Sequence, residues 1–177
     1  MKKILTTLTL LVSVISLSAQ GGKDIKNASF REVRTPAKVD SQIITLEGTL
    51  NFKMDDYLSM EYGNGELFLI DGNRMTIRRD NQNNTFDLSK NIMMRSLSHV
   101  LLYSFQGRLD DLAVEQKCDI RKEDRDGRHI VTLTARKKGV KGYGVIEVSY
   151  DAKTKSIRTM RMDEFTGAST WYEMITR

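Results

Sequence analysis

Along most of the chain, apolar and polar residues alternate one by one. Leu46, Gly48, Leu50, Phe52 and Met54 fall on one parity, while Thr45, Glu47, Thr49, Asn51 and Lys53 fall on the other. A period of two with one wet face is the signature of an antiparallel sheet covered on one side, so a strand is predicted over 43–54. Asp55 and Asp56 turn the chain, and Leu58, Met60 and Tyr62 repeat the apolar parity. "GNG" turns it again, 67–70 reads as a strand, and "DGN" is a hairpin signal. Met75 with Ile77, and then Phe86 with Leu88, continue the series. An earlier strand is predicted over 29–35, closed by Pro36, which suits an edge or a turn.

The period changes at Asn91. Met93, Met94, Leu97, Val100, Leu101 and Phe105 recur at three- and four-residue spacings, which predicts an amphipathic helix ended or broken by Gly107. It is the single helix expected after the leader, with "RLDDLA" read as a further turn. Strands then resume over 114–122, 129–136, 143–151, 156–165 and 170–176, separated by turns at "EDRDGR", "KKGVKG", "AKTK" and "TGAS". The result is an antiparallel meander, which must close, curl or cover its apolar face. One central helix is a natural cover.

Outside this pattern stands the start of the chain. Lys2 and Lys3 precede a charge-free run over 4–17, followed by Ser18 and Ala19. The run falls short of the roughly 20 residues that span a bilayer, and the three parts match a cleavable secretory signal, cut after Ala19 or Gln20. The other reading is an uncleaved anchor. With 1–20 as a signal, 21–177 is a single domain, long enough at about 157 residues for a real core. Loss of Lys2 and Lys3 lowers the formal net charge from +5 to +3, since the leader holds no acid. Basic and acidic residues alternate closely in "IRKEDRDGR", which marks a solvated surface and speaks against nucleic acid. The single cysteine, Cys118, excludes an internal disulfide. It reads as a small buried residue, with a reactive thiol as the alternative.

Candidate chemistry is sparse. His99 and His129 stand alone, one on the helix and one in a strand, without the clustered ligands a metal needs. Asp55 and Asp56 are adjacent and so make a poor carboxylate pair. No nucleophile elbow, zinc-protease or paired-cysteine motif occurs. No catalytic residue, metal ligand or cofactor is assigned, and no enzyme is expected.

"GTLNFKMDDYLSMEY" followed by "GELFLIDGNRMTI" resembles the bacterial outer-membrane lipoprotein carriers, the LolA-like family. Gly48, Leu50, Tyr57, Leu58, Tyr62, Ile70, Asp71 and Gly72 carry the likeness, and "IEVSYDAKTKSIRTMRMDEFTGASTWYEM" is similar to the family's closing strands. Order and spacing, over most of 28–176, make the match. Met54 and Asp55 stand where the family often has an arginine and a proline that latch its lid. The resemblance implies a mainly β fold: a curled antiparallel sheet, or incomplete barrel, with a helical lid. It implies a periplasmic, monomeric carrier that holds acyl chains of lipoproteins or lipids in an apolar cavity and moves them toward the outer membrane. Its partners would be that cargo, an inner-membrane donor and an outer-membrane acceptor.

The lining expected on the strands is Leu50, Phe52, Met54, Leu58, Met60 and Tyr62. On the helix it is Met93, Met94, Leu97, Leu101 and Phe105, and on the late strands Met160, Met162 and Tyr172. Trp171 and Tyr172 alternate, so one of the two faces inward. Flexible, polarizable methionines suit a cavity that must also release its load. The same apolar face would serve equally as plain core. A non-catalytic interaction or sensor domain of the envelope, without a cavity, therefore stays open.

Overall fold

The computed structural model describes residues 22–38, 40–80, 82–138 and 142–175. The leader expected over 1–20 lies outside them. The described chain forms one antiparallel sheet of 11 strands with two short helices. Strands β1 (Ile25–Thr35), β2 (Ile44–Lys53), β3 (Tyr57–Tyr62), β4 (Leu67–Asp71), β5 (Arg74–Arg79) and β6 (Gln82–Asp87) come first. Helices α1 (Ile92–Gln106) and α2 (Leu109–Glu115) follow. Strands β7 (Cys118–Arg125), β8 (Arg128–Ala135), β9 (Tyr143–Asp151), β10 (Ile157–Glu164) and β11 (Ser169–Ile175) complete it.

The spatial order is β6-β5-β4-β3-β2-β1-β11-β10-β9-β8-β7. Two meanders are thus joined where β1 pairs with β11, from Ser29 opposite Ile175 to Thr35 opposite Ser169. The sheet is not closed: β6 and β7 are its two edges, and the helices are the stretch of chain between them. Laid flat, such a sheet would be about 48 Å wide. Yet Ile70 and Met75 near one edge share a single apolar cluster with Val131 and Leu133 near the other. The sheet therefore curls around one core, and the helices cover its concave side. The edges themselves are dressed against further pairing, β6 with "QNNTFD" and β7 with "CDIRKEDR".

Inward residues are those of the apolar parity. Leu50 and Phe52 on β2 and Leu58 on β3 are fully buried, with Met60 beside them. Gly48 has the same parity but no room for a side chain. A Cβ there would run into the backbone oxygen of Glu61 and lie 2.9 Å from the Phe30 ring. Helix α1 starts where Asn91 Oδ1 accepts the Met94 N–H (3.1 Å) and ends at Gly107, whose φ of 72° is left-handed. Its inner face is fixed to the sheet by Tyr150, which donates its buried hydroxyl to Ser104 O at 2.7 Å. Tyr150→Phe should cost about 1–2 kcal/mol and lower the melting temperature by roughly 2–6 °C. Calorimetry checks this, and an unchanged transition would show that the bond adds nothing.

Four local expectations are corrected. Residues 109–113 are helix, not a turn, because Leu109, Leu112 and Ala113 bury one face at helical spacing. Helix α2 also takes Val114 and Glu115, so β7 begins only at Cys118. It continues through Arg125, which confines the "EDRDGR" turn to Asp126 and Gly127. Leu88 is buried after β6 ends rather than within it.

Candidate functional site

Most of the predicted lining meets in one place. Leu50, Phe52, Leu58, Met60, Tyr62, Leu101, Phe105, Met160, Met162 and Tyr172 are buried together, with Met94 and Leu97 packed partly exposed against them. Tyr172 is the inward member of its pair, and Trp171 lies on the other face of β11. Two of the predicted residues stand outside this buried cluster. Met54 lies past the last residue of β2, in the turn, where its N–H is held by Asp24 Oδ1 at 3.1 Å, and it is 43% exposed. Met93 is 57% exposed, because Met94 takes the inward direction in the first turn of α1. Under the C-terminal half of α1 the rings of Phe52 and Phe105 stack at 5.4 Å between centroids.

Space opens at the other half of α1. A solvent-facing groove of about 540 Å³ runs between Ile92, Met93, Met94, Ser96 and Leu97 of α1 and the rims of β9 and β10. Tyr143 begins β9 and Glu164 ends β10, and the two are partners in register. Gln116, Gly142 and Thr166 complete the lining. The size falls within the range of small-molecule sites. Of the predicted set the groove takes only Met93, Met94 and Leu97, while Ile92 and Tyr143 were missed. A signal for Ile92 did exist: three successive apolar residues at "IMM" overfill one helical face, so part of the run must stay outside.

A polar network lies at the same end of the sheet. Glu32 is 2% exposed and receives Arg34 Nε at 2.6 Å and the hydroxyl of Tyr62. Glu66 joins Arg34 to Arg79, each at 3.2 Å. Burial opposes the charge of Arg34, but its bond to Glu32 and the nearby carboxylates outweigh that and raise its pKa. Burial, then the charge of Glu32, pushes the Tyr62 phenol far above its ordinary value. Burial alone would raise the pKa of Glu66, but Asn64, Arg34 and Arg79 bring it below the usual carboxylate range. Every charge here has a partner, as buried charges require.

A second, polar cavity of about 310 Å³ lies on another face of α1, lined by Arg95, Ser98, His99, Tyr103, Arg108 and Asp56 among others. His99 Nδ1 sits 2.7 Å from Glu115 there, and His129 Nδ1 sits 2.7 Å from Asp124 on the β7–β8 hairpin. Among the described residues no cluster of His, Cys, Asp and Glu could hold a metal ion. Cys118 is buried, and burial raises its thiol pKa. No described helix is long and apolar enough to cross a membrane.

The architecture is thus an open, curled antiparallel sheet capped by helices, with an apolar groove at the helix margin. No protein-family model matches the sequence, and no curated protein does. Among solved structures the chain is similar to a LolA superfamily protein from Nitrosomonas europaea at 9% identity, over 87% of this chain and 84% of that one, with a TM-score of 0.38. It is similar to the lipoprotein LppX of Mycobacterium tuberculosis at 12% identity, over 84% and 85%, with a TM-score of 0.35. A candidate outer membrane lipoprotein-sorting protein domain from Vibrio parahaemolyticus matches at 14% identity, over 89% and 85%, with a TM-score of 0.38. These likenesses concern architecture.

Proposed function

We propose that the protein is a non-catalytic carrier that binds the acyl chain of a lipid or lipoprotein in the groove beside α1. The observation that carries this reading is the groove itself. It is apolar, open to water and edged by exposed Ile92 and Met93. Exposed apolar side chains gathered around a cleft mark a binding surface. A chain of about 16 carbons resists water by roughly 12 kcal/mol, at about 0.8 kcal/mol per methylene. A groove of this volume offsets part of that. The remainder would come from α1 lifting off the sheet, which exposes Leu97 and Leu101 to the chain. Methionine side chains accept varied shapes and let the load go. The reading continues with a signal-directed passage to the periplasm, a monomeric carrier, an inner-membrane donor and an outer-membrane acceptor.

The stacking of Phe105 on Phe52 beneath α1 favours a second reading, an envelope interaction module whose groove takes an apolar peptide side chain. One experiment separates them. The mature protein is titrated with a fluorescent acyl probe and, in parallel, purified under native conditions for mass spectrometry. Saturable binding at micromolar probe together with bound lipid supports the carrier. Absence of both sinks it and leaves the interaction module.

A further inference from the structure

The groove beside α1 is apolar but not uncharged. Among the described residues its lining holds no lysine, arginine or histidine, and its one carboxylate is Glu164 at the end of β10. The amide and hydroxyls beside it are engaged with one another or with that carboxylate. Ser96 Oγ donates to Gln116 Oε1 at 3.1 Å, and Thr166 Oγ1 donates to Glu164 Oε2 at 2.9 Å. Glu164 Oε1 accepts no hydrogen bond, and the carboxylate has no cationic partner, among the described residues. Its neighbour Asp163 is, by contrast, bonded to Arg161 Nε at 2.8 Å. Register sets Glu164 opposite Tyr143, the first residue of β9. The phenol senses the charge: burial, then Glu164, pushes Tyr143 up to about 12. Tyr143 is therefore neutral at ordinary pH, and the wall keeps a net negative charge.

We infer that Glu164 selects the charge of the ligand's polar end: the groove takes a single-chain amphiphile whose head carries an ammonium group and disfavours one that ends in a carboxylate. This rests on the proposed acyl-binding function and names the class of ligand within it. The chain lies along Ile92, Met93 and Leu97 of α1, with its head toward the β9–β10 rim that holds Glu164. An ammonium placed there gains a charge-assisted hydrogen bond to the unused Glu164 Oε1. A carboxylate there meets like charge in a wall with no cation to offset it. The apolar walls sharpen both effects, because charges beside low-dielectric material are screened less than in open water. The molecule as a whole pulls the other way. Its formal net charge is +5 over the full sequence, which draws anions at long range. A preference for a cation is therefore a local property of this wall.

The test uses dodecylammonium, dodecanoate and the neutral ester monododecanoylglycerol, which share one chain length. Each is titrated at neutral pH, below its aggregation limit, into wild type and Glu164→Gln. Wild type should bind the ammonium about tenfold or more tightly than the carboxylate, with the ester between them. Glu164→Gln keeps the side chain's shape and an oxygen for Thr166. It should bring ammonium and carboxylate to within about threefold of each other and leave the ester's affinity unchanged. Equal affinity of wild type for ammonium and carboxylate, or a preference that survives in Glu164→Gln, would overturn the selection and leave the acyl groove standing. A Glu164→Gln variant that loses all three ligands alike would mark Glu164 as structural, which also overturns it. Binding of none of the three by wild type would remove the acyl-binding reading itself, and this inference with it.

Discussion

Gly48→Ala is expected to lower the melting temperature by roughly 6–15 °C, the largest loss of stability from any single added methyl on this sheet. Gly48 sits mid-strand in β2 opposite Tyr62. The added Cβ would overlap the backbone oxygen of Glu61 and press on Phe30 Cε1 at 2.9 Å. Neither neighbour can yield cheaply. Glu61 belongs to β3, held in register from Tyr57 to Tyr62. Phe30 is fully buried, edge-on to Tyr62 with ring centroids 5.2 Å apart. Relief would require the two strands to part, breaking ladder bonds beside the Glu32 network, at about 3–4 kcal/mol. Gly63→Ala is the control, since its Cβ would lie 3.6 Å from Glu47 O, an ordinary contact. Thermal denaturation of the two variants decides the matter, and equal, small shifts would show that β2 and β3 tolerate the spacing.

The same glycine shows what could be read without coordinates. Gly48 opened the stretch that carried the family likeness, and its physical reason is this close approach. Alternation revealed most strands because one face of the sheet is wet and the other dry, and Leu50, Phe52, Leu58 and Met60 all went inward as their parity required. Helix α2 escaped because seven residues bury only Leu109, Leu112 and Ala113, a single turn's worth of signal. The groove escaped for a different reason. Parity says which face is apolar, but not where a covering helix fails to fill it. Phe105 stacks on Phe52, whereas Leu97 borders open space beside the β9–β10 rim. Tyr143 carries no pattern of its own, since it follows directly on the loop before β9.

That contrast along α1 yields the second large effect. Leu97→Glu should leave the protein folded and weaken acyl-probe binding about 100-fold or more. Leu101→Glu should prevent folding altogether. One turn separates the two positions, but their surroundings differ. Leu101 is 1% exposed inside the shared core, where a carboxylate would have neither water nor a cationic partner. The cost there is several kcal/mol, comparable with the whole stability of a domain. Leu97 borders the groove and is only partly buried. A glutamate at that point can extend its charged end to solvent while its stem covers apolar surface, so the melting temperature should fall by a few degrees at most. A bound hydrocarbon chain would then have to displace the water around that charge, and a 100-fold loss corresponds to about 2.7 kcal/mol. Probe titration with circular dichroism on both variants measures the pair. If folded Leu97→Glu binds the probe as wild type does, acyl chains do not occupy the groove. If Leu101→Glu folds normally, the interior beneath α1 is looser than its packing indicates, and the helix moves away from the sheet far more readily than Tyr150 and Phe105 would allow.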